Sequence, residues 1–210
     1  MATDVFLGGP AVRHPGRSTS EERLDLVTLV EQAQRGDHDA FAVLASGYIG
    51  RLDQTARLIV RDPELARDAV QDALFRAWRD LPRLRDPDRF EAWLFRLTTN
   101  ACLDLLRRRR RRAFEVAVDP IQQPSGEDIE GRHADRELLD QALRRLDPEW
   151  RAIVVLHYFV GLSVPDISAA TGIAVGTVKS RLHRALSQMR GVLDPEDGSV
   201  PAPVSGGHVA

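Results

Sequence analysis

The chain has 210 residues, of which 43% are hydrophobic and 29% charged, with a formal net charge of −2. This length fits one or two domains, and the hydrophobic content is enough to build cores. Cys102 is the single cysteine, which excludes an intrachain disulfide and a cysteine-rich metal site, and we expect it to be a small buried residue. No stretch approaches the roughly 20 apolar residues that span a bilayer.

Residues 1–21 are rich in turn-forming residues and show little periodicity, so we predict a disordered tail there. The first residues are acidic rather than basic, and the segment is rich in glycine and proline. This composition is not that of a signal peptide, and a cytoplasmic protein is expected.

The first two helices are predicted from apolar residues at helical spacing. The positions expected to face the core in the first helix are Leu24, Val27, Val30 and Ala33. Asp37 or Asp39 can cap the second helix, because either carboxylate can accept a backbone N–H of the first turn. The second helix is predicted to end before residues 61–63.

The third and fourth helices have clear start signals. Asp62 caps the third helix with Pro63 at its first position, and the helix runs to about Asp80. A proline-containing connector at 81–88 leads to a helix that begins near Arg89. Since no segment alternates with the period of two expected for a strand, residues 22–112 are predicted to form an all-α domain.

Charge is distributed unevenly after the fourth helix begins. Residues 107–112 are six consecutive arginines, which can bind DNA phosphates without sequence preference or simply form a solvated face. Residues 113–135 contain six acidic residues against one arginine, together with prolines and glycines. A flexible acidic linker is therefore predicted at 113–134.

A second small helical domain is predicted at 135–190. The apolar positions of its first helix are Leu138, Leu139, Ala142, Leu143 and Leu146. Asp147 caps the next helix, with Pro148 at the first position, and the apolar run 153–160 is expected to be buried. His157 in this run is expected to be a hydrogen-bonded core residue, and a disordered tail is predicted at 191–210.

Residues 161–190 predict a helix-turn-helix. Ser163 and Asp166 have the spacing of a capping box, and Gly172 stands where the first helix needs a left-handed residue to end. The apolar positions of the second helix are Val175, Val178, Leu182, Leu186 and Met189. Such a pair of helices can place the second helix in a DNA major groove, although an amphipathic hairpin without a DNA role gives the same pattern.

The other faces of the second helix carry the candidate DNA contacts. Residues 174–190 contain four basic residues and no acidic residue. The candidates are Thr177, Lys179, Ser180, Arg181, His183 and Arg184. Whether an arginine here contacts base edges or phosphates stays open at this point.

No catalytic constellation stands out in the sequence. There is no glycine-rich phosphate loop, no metal-spaced cluster of His, Cys and Asp, and no nucleophile with a base. We therefore expect no catalytic residue, no metal site, no cofactor and no small-molecule substrate, and a protein that is not an enzyme.

Three stretches together resemble the extracytoplasmic-function (group IV) sigma factors of the sigma-70 family. The family's polymerase-binding helix is similar to DAVQDALFRAW at 68–78, and its promoter-melting segment is similar to RFEAWLFRLTTNACLDLLRRRRR at 89–111. The family's region 4 is similar to LDPEWRAIVVLHYFVGLSVPDISAATGIAVGTVKSRLHRAL at 146–186. The order and spacing of these stretches are more specific than a lone helix-turn-helix.

The resemblance implies a function and a set of partners. Residues 22–112 would be a region 2 domain that binds core RNA polymerase and melts the −10 element. Residues 135–190 would be a region 4 domain that reads the −35 element with the candidates named above. The implied partners are the polymerase core (β′ clamp helices through region 2 and the β flap through region 4), promoter DNA and an anti-sigma factor.

The resemblance also assigns residues of region 2. The implied polymerase-binding residues are Asp68, Gln71, Asp72, Phe75, Arg76 and Arg79. The implied −10 contacts are Arg83, Arg85, Arg89, Trp93, Arg96, Asn100, Arg107 and Arg108. Asn100 matches a base-capturing position of the family. For the polymerase-binding helix, the spacing of Asp72 and Arg76 also fits a solvated i,i+4 pair. For the −10 region, the aromatic residues Phe90, Trp93 and Phe95 are either stacking surfaces for unpaired bases or core residues.

The acidic linker has two interpretations. In the family it runs through polymerase channels, where negative charge can mimic nucleic acid, and the alternative is a solvated tether. For the whole chain, the alternatives are a stand-alone helix-turn-helix regulator and a helical adaptor without a DNA role. Neither alternative needs both the polymerase-binding helix and the second basic segment at 100–112.

Overall fold

The computed structural model describes residues 20–115 and 133–193, with side chains for 23–112 and 137–192. Across these ranges the regular structure is helical and contains no strand, so the predicted all-α class is confirmed. The predicted tails at 1–21 and 191–210 and the linker at 113–134 lie largely outside the described residues.

Eight α-helices follow one another along the described chain. They are α1 Ser20–Gln34, α2 His38–Val60, α3 Pro63–Asp80, α4 Phe90–Glu115, α5 His133–Arg145, α6 Pro148–Val154, α7 Val164–Thr171 and α8 Val175–Leu193. Two 3-10 turns, Leu81–Arg83 and Pro87–Arg89, occupy the connector before α4, and a π-helical segment at Val155–Val160 continues α6.

Four helices begin at the caps that the sequence predicts. The Asp37 side chain accepts the N–H groups of residues 39 and 40, which selects Asp37 over Asp39 as the cap of α2. Asp62, Asp147 and Ser163 cap α3, α6 and α7 in the same way. Each cap satisfies N–H groups that have no partner inside the helix.

The turn between α7 and α8 is held by side chains as well as by Gly172, which adopts φ 71°. The Ser168 hydroxyl donates to the Ile173 carbonyl at 2.6 Å, across the turn. The Thr171 hydroxyl donates to the Ile167 carbonyl at 2.7 Å. The first bond ties the turn to α7, and the second lies within the last turn of α7 itself.

The N-terminal core is built on a stripe of small residues on α3. The fully or nearly fully buried residues of this helix are Ala66, Ala69, Val70, Ala73 and Ala77. Small side chains let α3 pack closely between α2 and α4, and the larger buried side chains come from those neighbours, including Leu52, Ile59, Leu94 and Phe95.

Four apolar positions predicted to face the core are exposed instead. Leu24 is 66% exposed, whereas Val30 and Ala33 are buried, with Leu26 and Leu29 packed beside them. At 3.6 residues per turn Leu24 lies on the opposite side of α1 from Ala33, so it was wrongly assigned to the core face. Leu138 and Leu139 are likewise exposed in the middle of α5, and Val175 is exposed as the first residue of α8. The predicted face is therefore wrong at Leu24 in α1, and in α5 and α8 the spacing is right but the neighbouring helices do not cover every apolar position.

The two groups of helices pack against each other. The helix α4 contacts α6 and α7, and the end of α2 contacts α6 and the π-helical segment, so the buried side chains form one continuous cluster. Within that segment His157 is half-buried, and its Nδ1 lies 2.9 Å from the carbonyl oxygen of Leu162. The ring is therefore hydrogen-bonded, as its sequence context predicts.

Candidate nucleic-acid interface

The helix α8 has one buried face and one exposed polar face. The buried side chains are Val178, Leu182, Ala185 and Met189. Five of the six candidate DNA contacts are exposed, namely Thr177, Lys179, Ser180, His183 and Arg184. Because the exposed face carries cations and no acidic side chain, it presents positive charge and hydroxyl groups to solvent, as a phosphate-lined groove requires.

Arg181, the sixth candidate, is placed differently. Its guanidinium donates to Glu149 of α6 at 2.9 Å, and only 27% of the side chain is exposed. The carboxylate neutralises this arginine in the present arrangement. Glu149 lies 32 residues away in sequence, so no local pattern predicts the pair.

The candidate −10 residues divide between a loop and a helix. Arg83, Arg85 and Arg89 lie in or beside the 3-10 turns and are exposed. Their acidic neighbours are close: Arg83 lies 3.8 Å from Asp80, and Arg89 lies 3.6 Å from Asp86. Pairs of this length between exposed groups are weak, so these guanidiniums can exchange a carboxylate for a phosphate at little cost.

On α4, Arg96 and Asn100 are half-buried, and Arg107 and Arg108 are exposed. Arg107 pairs with Asp104 one turn earlier at 3.0 Å. The next arginine of the run, Arg109, donates at 2.9 Å to the Asp62 carboxylate that caps α3. This one arginine therefore has a structural role, because it ties α4 to α3, while the remaining five arginines of 107–112 are exposed.

The structure separates the three aromatic residues of this region. Phe90 and Phe95 are 1% and 0% exposed, so they are core residues and cannot serve as stacking surfaces for unpaired bases. Trp93 is half-buried, with its ring 6.0 Å from that of Phe90. Of these three, only Trp93 keeps surface available to a ligand.

A cationic side chain that the sequence does not single out covers this aromatic core. Arg51 of α2 places its guanidinium 5.0 Å from the centre of the Phe95 ring and pairs with Glu91 at 2.8 Å. Burial, together with the charge of Glu91, raises the pKa of the neighbouring Tyr48 to about 12. These contacts hold the start of α4 against α2.

The helix α3 presents the candidate polymerase-binding face. Asp68, Gln71, Phe75 and Arg79 are exposed, and Phe75 is 65% exposed. Asp72 and Arg76 form the i,i+4 pair that their spacing predicts, and Arg76 also lies 3.5 Å from Asp104 of α4. An open groove of about 510 Å³ runs between α2 and α3, lined by Ile49, Gly50, Asp53, Arg67, Val70, Gln71 and Leu74.

The two groups of DNA candidates meet at one small cavity. It has a volume of about 110 Å³ and lies between α4 and the C-terminal helices. Its lining residues are Asn100, Leu103, Arg107, Glu149, Thr171, Ile173 and Arg181. Predicted contacts to two different DNA elements thus lie on opposite walls of a single cavity.

Among the described residues, no group of three or more His, Cys, Asp and Glu side chains is placed to hold a metal ion. None of the described helices combines the length and apolarity required to cross a membrane. The described surface does carry exposed basic side chains on two helices, α4 and α8, which belong to different groups of helices.

Comparison with known families agrees with this arrangement. The family profile described as Sigma-70 region 2 matches residues 44–112, and the profile described as Sigma-70, region 4 matches residues 136–189. The chain is 36% identical to the RNA polymerase sigma-E factor of Streptomyces avermitilis over 144 residues, which is 69% of this chain and 79% of the relative. It is also 36% identical to the ECF RNA polymerase sigma factor SigM of Mycobacterium tuberculosis over 186 residues, which is 88% of this chain and 90% of that protein.

Two solved structures are similar to the fold. One is CnrH in complex with the cytosolic domain of CnrY, with 32% identity, a TM-score of 0.60, and coverage of 82% of this chain and 99% of that chain. The other is the sigma factor RpoE in complex with the anti-sigma factor NepR from Bartonella quintana, with 26% identity, a TM-score of 0.66, and coverage of 74% and 98%.

The chain belongs to the sigma-70 family, in its extracytoplasmic-function group. It is an RNA polymerase sigma factor, a transcription initiation factor that directs the polymerase to promoters.

Proposed function

We propose that this sigma factor divides its work between two domains. Residues 22–112 bind core polymerase and open the −10 element, residues 135–190 read the −35 element as duplex, and residues 113–134 connect them. The observation that carries this division is the acid-free exposed face of α8 on one domain and the exposed arginines of α4 on the other. Each basic surface is attached to its own helical unit, as two separate contacts require.

The −35 element is assigned to α8 because its exposed residues suit a major groove. Lys179 and Arg184 are exposed cations, and Thr177 and Ser180 are exposed hydroxyl-bearing residues of the same helix. Cations supply phosphate binding, and an arginine can also donate two hydrogen bonds to a guanine edge. Arg181 joins this set when its bond to Glu149 is exchanged for one to DNA.

The −10 element is assigned to the surface around Asn100. Holding a base out of the stack costs a few kcal/mol, and base-edge hydrogen bonds, stacking and phosphate contacts offset that cost. The half-buried amide of Asn100 can pair with a base edge, and Trp93 is the aromatic residue that retains exposed surface. The exposed arginines at 83, 85, 89, 107 and 108 are available for the DNA backbone, and Arg96 is half-buried.

The polymerase contact is assigned to α3. Its polar face does not pack on the protein's own core, and Phe75 gives that face an apolar centre. We propose the β′ clamp helices as the partner of this face and the β flap as the partner of region 4. Aromatic side chains surrounded by polar residues are typical centres of protein interfaces.

We further propose that an anti-sigma factor controls this protein. CnrH and RpoE, both similar to this chain, are solved with CnrY and with the anti-sigma factor NepR respectively. We also propose a cytoplasmic, non-enzymatic role, because the polymerase catalyses RNA synthesis and the sigma factor recognises the promoter.

The test is in vitro transcription with purified core polymerase and a promoter library. We expect promoter-specific transcripts and co-purification with core enzyme, and the absence of both would refute the proposal. Asn100→Ala should reduce open-complex formation, measured by permanganate reactivity of unpaired thymines, while core binding is retained. Equal loss of both activities would contradict the role assigned to Asn100.

Binding to −35 duplex tests α8. Arg184→Ala should weaken binding and reduce the slope of log K against log salt by about one, as expected for the loss of one phosphate contact. Arg190→Ala is the matched control, because Arg190 is exposed on the same helix outside the predicted set. Arg181→Ala should also weaken binding, and an unchanged affinity would remove Arg181 from the interface.

A further inference from the structure

Arg181 differs from the other cations of α8 because it has an acidic partner. Among the described side chains, its pair with Glu149 is the only ion pair that involves α8. Lys179, Arg184 and Arg190 of the same helix are exposed to solvent. Since α8 has no acidic residue of its own, the carboxylate comes from another helix, and the protein itself compensates the charge of Arg181.

Glu149 is placed by the first turn of α6. Its N–H donates to the capping carboxylate of Asp147 at 3.0 Å, and an acidic side chain is favourable at this end of a helix. The helices α6 and α8 also pack against each other, and each contributes buried apolar residues to the core, including Ile153 and Val178. Apolar burial holds α8 in place, whereas an ion pair between partly exposed groups adds little to stability.

The bond between Arg181 and Glu149 can be exchanged for a bond to DNA. The Glu149 side chain is 45% exposed, so water reaches the pair and the bond breaks at little cost. A carboxylate and a phosphate bind the same donors of a guanidinium, so a phosphate offers Arg181 no better partner than the one it has. A guanine edge in the major groove offers two acceptors, O6 and N7, at fixed positions. Arg181 therefore leaves Glu149 for a matching base rather than for any phosphate.

A second arginine near Glu149 already has its own acidic partner. Arg107 of α4 lines the same small cavity as Glu149 and Arg181. Its guanidinium donates to Asp104 at 3.0 Å, one turn earlier on α4. The carboxylate of Glu149 is therefore directed to Arg181, and a change at Glu149 acts first on this arginine.

We propose that Glu149 competes with DNA for Arg181 and thereby sets the affinity of region 4 for duplex DNA. On DNA that lacks the −35 sequence, Arg181 stays bound to Glu149 and contributes nothing to binding. On the −35 element, Arg181 is transferred from Glu149 to the DNA, and loss of the ion pair lowers the affinity. The proposal rests on the assignment of α8 to the −35 element made above.

The experiment measures fluorescence anisotropy of two labelled duplexes titrated with the full chain. One duplex carries the −35 element of a promoter selected from the library, and the other carries the same bases in scrambled order. Glu149→Gln keeps the shape of the side chain but removes its charge, so it should tighten binding to both duplexes by about fivefold. If the ion pair only held α8 in place, the same variant would bind both duplexes more weakly. Unchanged or weaker binding to both would overturn the proposal.

The scrambled duplex shows whether the gain passes through Arg181. With Glu149 present, Arg181→Ala should leave the affinity for this duplex within about twofold, because Arg181 is not engaged there. In Glu149→Gln the freed guanidinium adds one phosphate contact, so the slope of log K against log salt should steepen by about one. Combining Glu149→Gln with Arg181→Ala should abolish both the gain and the steeper slope. A gain that survives in the double variant would overturn the competition for Arg181.

Glu137→Gln is the matched control, because Glu137 is exposed on α5 and its substitution removes the same charge from region 4. It should change either affinity by less than about twofold, and a gain equal to that of Glu149→Gln would show that net charge alone is responsible. Promoter-specific transcription without any gain from Glu149→Gln would refute the competition while leaving the proposed function intact. The expected gain without promoter-specific transcription would refute the proposed function while leaving the competition in place.

Discussion

Phe75 on α3 allows the polymerase contact to be tested with a magnitude taken from the structure. The residue is 65% exposed, so folding buries only about a third of it. A phenylalanine side chain offers roughly 200 Å², which leaves about 130 Å² for a partner to cover. At about 25 cal/mol per Å², Phe75→Ala should weaken core binding by about 3 kcal/mol, or on the order of a hundredfold. The free energy of unfolding should change by less than about 1 kcal/mol.

The assay is a titration of fluorescent core polymerase with the sigma factor, next to urea unfolding of each variant. Leu24→Ala is the matched control, because Leu24 is 66% exposed but lies on α1, outside the predicted surface. It should bind like the unaltered protein. A Phe75→Ala variant that binds within about threefold of normal, or a Leu24→Ala variant that loses as much, would refute the assignment of α3.

Asp62 and Cys102 lead to two further expectations. Asp62→Ala should cost about 1–2 kcal/mol of stability in urea unfolding, because the N–H groups of Glu64 and Leu65 lose their acceptor, and an unchanged midpoint would contradict the cap. Burial raises the pKa of Asp62, but the hydrogen bonds from Leu65, Arg109 and Glu64 outweigh the effect of burial and hold the pKa below 3.8. The stability that the ionised carboxylate contributes is therefore present above pH 3.8 and is lost as the pH falls through the lowered pKa. Burial raises the pKa of the Cys102 thiol to about 12, so at pH 8 it should react with Ellman's reagent only as fast as the protein opens, and rapid reaction of the folded protein would show that the thiol is accessible.

Helix boundaries were the most predictable part of the fold. Asp62, Asp147, Ser163 and Gly172 all occupy the predicted positions at helix ends. A cap depends on hydrogen bonds that reach two or three residues, so the information lies within the segment itself. The polar face of α8 was predictable for a related reason, since helical geometry decides which side chains point the same way.

The extent of burial was less predictable. Apolar residues three apart drift around a helix with 3.6 residues per turn, so Leu24 and Val30 belong to different faces, and only the packing shows that the face of Val30 is buried. Aromatic residues show the same difficulty. Phe95 and Trp93 stand two residues apart, and nothing local tells which one enters the core and which one keeps exposed surface.

By itself, the sequence determined the order of the helices, most of their ends, the acid-free recognition helix and the family resemblance. The helix ends and the face of α8 depend on residues within one or two helical turns, and the resemblance depends on the order and spacing of three stretches along the chain. The tertiary structure alone decided that Arg181 pairs with Glu149, that Arg109 pairs with Asp62, and that Arg61 reaches Asp140 across the domains. These partners are 32, 47 and 79 residues apart in sequence, and an arginine finds its carboxylate only after the packing of whole helices has brought the two together.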